Sequence, residues 1–260
     1  MRSEDFTLPV TQLLTVRNIL RSVRTPLLIA ISLAQPAVWL ILFSQTFRAL
    51  GGTPQFRALG YGSYLSFFLP GMVVLSMLFT ALQSGMATMS DIDSGMLDKL
   101  LIAPIRRGSV LAARVLADAV VMAVQAILLI VLGVALGARL RAGWPGWLLF
   151  GVLAVAFGVV WASVSNLVAL RTRNSEVTMV AGFFVTLPVL FLSAAFFPGP
   201  LLPGWLQAVT TVNPASQVIE TGQRLVSGGG MLTQDLRTLL TLGITAAVFI
   251  PLTVTAFRAR

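Results

Sequence analysis

Cysteine and histidine are absent from the 260 residues, and the two gaps remove whole classes of chemistry. Without cysteine no disulfide and no thiolate metal site can form, and the redox compartment is left open. Without histidine the imidazole base and the commonest metal ligand are missing, which excludes Ser-His and Cys-His nucleophile systems. Lysine occurs once, at Lys99, preceded by Asp98 and followed by Leu100. A GxxxxGK[ST] phosphate loop is therefore impossible, and ATP, if used, is bound by another chain. Charge of any kind is scarce: 10% of residues are charged against 57% hydrophobic, and the mean hydropathy is +0.90. That is far more apolar side chain than a soluble core can hide, so the chain reads as an integral membrane protein.

The net charge of +9 comes from 18 basic and 9 acidic residues. The basic residues are spread between apolar runs and form no patch, so they read as topology signals and not as a nucleic-acid surface. The first twelve residues, MRSEDFTLPVTQ, lack an apolar h-region and a small-residue cleavage site, and no removable signal peptide is expected. Leu13, Val16, Leu20 and Val23 then recur at helical spacing beside Arg17, Arg21 and Arg24. This predicts an amphipathic helix over residues 8–24 lying in the membrane interface.

Charge-free runs predict six spans, at residues 25–47, 64–89, 110–136, 144–170, 177–196 and 238–257. The first, Thr25 to Phe47, would be about 35 Å long as a helix, enough to cross a bilayer. Gln35-Pro36 should kink it and leave an amide for a neighbouring helix to satisfy. Gly133-x-x-x-Gly137 at the end of the third span permits close helix contact. Asp118 is the only acid inside a span, and at the bilayer centre it would cost about 3 kcal/mol. Arg114, one turn earlier, is its expected partner, which makes Asp118 structural and not a proton or substrate site.

Between the second and third spans lies a polar interruption over residues 90–109, SDIDSGMLDKLLIAPIRRGS. Read as a helix from Ser94, it places Met96, Leu97, Leu100 and Leu101 on one apolar stripe with charged flanks, until Pro104 stops it. Such a segment cannot lie in hydrocarbon and must sit at a membrane surface. The 43 residues between Glu176 and Glu220 carry no charge, yet Pro198, Pro200, Pro203 and Pro214 argue against two plain spans there. One span followed by a broken hairpin over residues 197–226, dipping into the outer leaflet and returning, satisfies both observations, and irregular backbone at that depth needs protein or a water-filled cavity beside it.

The order Asp91, Asp93, Gly95, Leu97, Asp98, Leu100, Leu101, Pro104, Ile105 resembles the cytoplasmic coupling segment of type-2 ABC transporter permeases. It uses Asp where that family mostly has Glu, and Met96 where it mostly has Thr, which keeps the charge and shortens its reach. Leu69-Pro70-Gly71 in the second span resembles another family motif. Phe197, Pro198, Leu202, Pro203, Trp205, Leu206, Asn213 and Pro214 resemble the family's late Pro-rich hairpin, which caps the outer side of the pathway.

The resemblance implies a single all-α permease domain over residues 1–260: six transmembrane helices, an N-terminal interfacial helix, a cytoplasmic coupling helix between spans 2 and 3, and a re-entrant outer hairpin between spans 5 and 6. It implies docking of the coupling segment, together with Arg17 and Arg21, into a cytoplasmic ATP-binding subunit present in two copies. It also implies pairing with a second permease, identical or homologous, and no cofactor on this chain, ATP and magnesium being held by the partner. Both termini fall on one side. Taking that side as the cytoplasm of a bacterial plasma membrane puts 12 basic residues inside and 6 outside, as the positive-inside rule favours. The few charges along the path favour export of a hydrophobic or amphiphilic cargo, with a polysaccharide as the alternative within the family. An ion-coupled carrier is the alternative outside it, and Asp118 alone would have to serve its coupling ion.

Overall fold

The computed structural model describes residue 15 and residues 26–96, 107–139, 141–228 and 233–258. Among these residues the chain is helical, without strands. The helices are α1 (Pro26–Thr46), α2 (Pro54–Ala58), α3 (Tyr64–Asp93), α4 (Arg107–Ala135), α5 (Gly143–Thr172), α6 (Ser175–Phe191), α7 (Gly204–Val212), α8 (Pro214–Ser227) and α9 (Thr233–Arg258). Counting described residues alone, α3, α4, α5 and α9 are long and apolar enough to cross a membrane by length and composition.

Local signals set the helix ends. Ser63 caps α3 by accepting from the Ser66 amide at 3.2 Å, and Asn174 caps α6 by accepting from the Val177 amide at 3.0 Å. The link between α5 and α6 is correspondingly tight, with Arg173 in the left-handed region at φ 50°. Residues 90–93 continue α3 without a break, so Asp91 and Asp93 ride on its last turn instead of standing in a separate loop. Helix α6 stops at Phe191, well before Phe196. The backbone turns there because side chains bind it: Ser193 accepts from the Ala195 amide, and Asn213 donates to the carbonyls of Val189 and Leu192.

Helix α3 is the axis of the bundle and touches α1, α4, α5, α6 and α8. In its most apolar window 83% of residues are buried, against 11% in α9, so α3 is core and α9 is periphery. Phe67, Phe68, Met72, Met77 and Leu78 are fully buried; burying each side chain contributes roughly 1.5–3 kcal/mol relative to exposure. The crossing of α3 and α5 depends on Gly85, where a Cβ would stand 2.2 Å from Ser165 Oγ and 2.8 Å from its carbonyl oxygen. Of the small-residue pair in α4, Gly133 does lie against a neighbour, Leu69 of α3, whereas Gly137 sits in the following turn with open space around it.

Candidate functional site

At one end of the bundle the last turn of α3 is tied to its neighbours. Arg114 Nη1 of α4 pairs with Asp91 Oδ2 at 2.9 Å, both side chains largely buried. Ser175 at the start of α6 donates to Asp93 Oδ2 at 3.1 Å. The chain then reverses through Ser94 and Gly95, with the Gly95 amide donating to the Ile92 carbonyl at 3.0 Å. Gly95 takes φ +64°, which glycine adopts without a steric penalty. Leu97, Asp98, Leu100, Leu101 and Pro104 lie outside the described residues, as do Arg17 and Arg21. Thr15 is described, and its hydroxyl donates to the Ala113 carbonyl at 3.4 Å, which places Thr15 at this same end.

One turn deeper a polar ladder joins α3, α4 and α5. Ser84 donates to Asp118 Oδ2 at 2.5 Å, and Asn166 donates to Ser84 Oγ at 2.9 Å and to the Ala162 carbonyl at 2.8 Å. Thr88 donates to Asn166 Oδ1, and Thr80 donates to Gln125 Oε1 at 2.6 Å. The carboxyl of Asp118 is therefore held by Ser84, while Arg114 reaches the other way, to Asp91. The reason is positional: Arg114 lies a turn nearer the end of α4, level with the acidic last turn of α3. Sequence reading missed Ser84, Thr88, Gln125 and Asn166. The available signal was the four-residue spacing of Thr80, Ser84 and Thr88, which puts three hydroxyls on one helix face.

At the opposite end the hairpin residues divide by role. Asn213 accepts from the Ala215 amide at 3.0 Å to cap α8, while its amide donates to Val189 O at 2.7 Å and Leu192 O at 3.2 Å. Pro214 occupies the first turn of α8, and Pro203 and Pro198 stand immediately before α7 and the 3-10 turn Gly199–Leu201. Trp205 is 65% exposed. Gln223 of α8 donates to Ala194 O at 2.8 Å, and Tyr64 donates to Phe196 O at 3.1 Å, so the turn after α6 is fastened to both α8 and α3.

That turn closes one side of a cavity of about 460 Å³ between α1, α3, α6 and α7. Its wall is aromatic: Trp39, Phe43, Phe47, Tyr64, Phe191, Phe196 and Phe197. The rings are stacked in series, Trp39 on Phe43 at 5.4 Å, Phe43 on Phe68 at 5.3 Å and Phe191 on Phe196 at 5.6 Å. The two hydroxyls in the wall are already committed, Tyr64 to Phe196 O and Ser193 to Leu190 O. A second cavity, of about 340 Å³, lies on the same α1–α3–α6 side nearer the polar ladder. Gln35, Thr80 and Gln83 face it among apolar neighbours, so the glutamine beside Pro36 reaches a cavity wall.

The fold and this site define a helical membrane protein with two cavities on one side of the bundle and a buried polar ladder beside them. Residues 9–223 match the family described as ABC-2 type transporter. The chain is 30% identical over 228 residues to a daunorubicin resistance ABC transporter permease protein of Streptomyces coeruleorubidus, covering 86% of this chain and 77% of that one. It is 30% identical over 219 residues to a protein of Cyanophora paradoxa named as a transport permease, covering 80% and 71%. It is 31% identical over 167 residues to a protein named as a doxorubicin resistance ABC transporter permease of Mycobacterium tuberculosis, covering 64% and 60%. The chain belongs to the ABC-2 type transporter family, whose members are membrane permease subunits with the ATPase on a separate chain.

Proposed function

We propose that this chain is the permease of an ATP-driven exporter that moves a hydrophobic, ring-bearing amphiphile out of the cytoplasm or the inner leaflet. The observation that carries the reading is the aromatic cavity, because its walls offer stacking faces while both hydroxyl protons are spent on backbone carbonyls. A planar apolar cargo gains offset stacking of roughly 0.5–1.5 kcal/mol per ring contact beyond its burial. A polysaccharide also stacks on aromatic rings, but its hydroxyls need hydrogen-bond partners that this wall does not supply. The names of the drug-resistance relatives point the same way.

In this reading the chain crosses a bacterial plasma membrane six times with both termini cytoplasmic, α7 and α8 form the outer re-entrant hairpin, and residues 90–109 engage an ATP-binding subunit. Two such subunits and a second permease complete the transporter. ATP-driven closure would pull on the segment after Gly95, and Asp91–Arg114 and Asp93–Ser175 would pass that pull to α4 and α6. The cargo would travel from the cavity beside Gln35 to the aromatic one.

The test is ATP-dependent uptake of daunorubicin into inverted vesicles carrying the chain with its ATP-binding partner. Phe43→Ala and Phe196→Ala should each lower uptake by about five- to tenfold, following the stacking lost, while ATP hydrolysis continues. Uptake unchanged in both variants would remove the aromatic cavity from the path.

A further inference from the structure

Two carboxamides face the cavity of about 340 Å³ between α1, α3 and α6, Gln35 from α1 and Gln83 from α3. Phe79, Thr80 and Gln83 fall at helical spacing, so one face of α3 brings a ring, a hydroxyl and a carboxamide to the same space. The threonine hydroxyls in the wall are already used. Thr80 donates to Gln125 Oε1 at 2.6 Å, and Thr178 donates to the Asn174 carbonyl at 2.8 Å. The side chains of Gln35 and Gln83 make no hydrogen bond among the described residues.

Each carboxamide offers one acceptor oxygen and two N–H donors, and among apolar neighbours these groups cost free energy until something pairs with them. A glutamine in a membrane helix ordinarily finds that partner on the next helix. Here α1 and α3 both turn theirs to a cavity, and the rest of the wall says what kind of molecule answers them. Phe79 and Phe183 meet edge to face with centroids 6.4 Å apart, which gives a planar ring both a face and an edge to pack on. No charged side chain among the described residues lines the cavity, and Asp118 meets α3 through Ser84 and not in this wall. The volume also falls within the range of small-molecule sites, roughly 300–1,000 Å³.

We propose that this cavity is the selectivity subsite for the cargo. Gln35 and Gln83 hydrogen-bond an uncharged edge that both donates and accepts, such as the hydroxyl beside the carbonyl of a hydroxyquinone, while the ring packs on Phe79 and Phe183. On the reading of the chain as an exporter of ring-bearing amphiphiles, on which this assignment rests, the part of the cargo that enters here is neutral. A sulfonate or carboxylate would lose its hydration and find no counter-ion. A second copy of this chain would instead pair glutamine with glutamine across a two-fold contact, which leaves the ring faces without a use.

The experiment is equilibrium binding of three ring compounds to the full chain with its ATP-binding partner in lipid nanodiscs, with empty nanodiscs as the reference for partitioning. Quinizarin carries neutral hydroxyl and carbonyl edges, anthracene has the rings alone, and anthraquinone sulfonate carries a charge. The unaltered protein should prefer quinizarin to either of the others by at least about tenfold. Gln35→Leu and Gln83→Leu should each cut that preference about five- to tenfold. Neither should move the unfolding midpoint, because neither glutamine makes a bond within the fold. Equal binding of quinizarin and anthracene by the unaltered protein would overturn the proposal. Quinizarin binding indifferent to both glutamine variants, with daunorubicin uptake still ATP-dependent and sensitive to Phe43→Ala, would overturn this subsite and leave the exporter standing. No binding of any ring compound together with no uptake would overturn both. A smaller assembly in the glutamine variants with quinizarin binding unchanged would overturn it in favour of a contact with a second copy.

Discussion

Asn213 uses its whole side chain: the carbonyl caps α8 and the amide takes two carbonyls at the end of α6. Asn213→Ala removes three hydrogen bonds and leaves buried backbone groups unpaired, which should destabilise the protein by about 2–3 kcal/mol. The check is thermal unfolding in detergent, and Asn213→Asp should be at least as destabilised as Asn213→Ala, because it sets a carboxylate oxygen against the Val189 and Leu192 carbonyls. Asp118 makes a different prediction. Its oxygen is an acceptor for Ser84, so Asp118→Asn should keep ATP-driven uptake within about twofold, because an amide oxygen still accepts. Asp118→Leu strands the Ser84 hydroxyl and should destabilise by about 1–3 kcal/mol. Loss of uptake in Asp118→Asn without loss of stability would mean that the carboxyl itself is needed, as an ion-coupled carrier requires.

Among the helices, the contact of α3 with α5 is set by backbone proximity, and the last turn of α3 is held by side chains on its neighbours. Gly85→Ala puts a methyl group against Ser165, where a rotamer change can move the hydroxyl but not the carbonyl at 2.8 Å. The crossing must open, at a cost of about 1–3 kcal/mol, read as a lower unfolding midpoint. In the last turn of α3, Asp91 pairs with Arg114, the two being 16% and 18% exposed, so removing either leaves a charge poorly solvated. A double-mutant cycle with Asp91→Asn and Arg114→Gln should give a coupling of about 1–3 kcal/mol in stability. If the pair also carries motion from the coupling segment, either single variant will uncouple ATP hydrolysis from uptake more than it lowers the melting point. The caps at Ser63, Asn174 and Asn213 are local, each side chain accepting from an amide two or three residues on. The stop of α6 at Phe191 is not, because its cause, Asn213, is far away in sequence.

For the molecule as a whole, the proposed assembly predicts that the tagged chain extracted in mild detergent brings an ATP-binding subunit with it. Replacing Leu97, Leu100 and Leu101 together with Asp should abolish that co-purification, because three carboxylates cannot enter an apolar groove unpaired. Uptake should stop when ATP is withheld and persist when the proton gradient is collapsed. The reverse pattern would favour an ion-coupled carrier.

Composition by itself determined that the chain lives in a membrane, because apolar area on this scale has no other solvent, and the lack of His, Cys and all but one Lys excluded Ser-His and Cys-His nucleophiles and a phosphate loop on this chain. Spacing made the helices legible, since 3.6-residue periodicity and charge-free length are local properties. Only the tertiary structure decided which polar residues meet. Arg114 turned to Asp91 and left Asp118 to Ser84, and Asn166 joined a ladder it gave no sign of in the sequence. The same holds for the cavities: Trp39 and Phe191 are ordinary apolar positions in their own helices. Phe196 itself lies outside any helix, in the turn after α6, and the three become one aromatic wall because α1, α3 and that turn bring distant segments together; contact between distant segments is what periodicity does not encode.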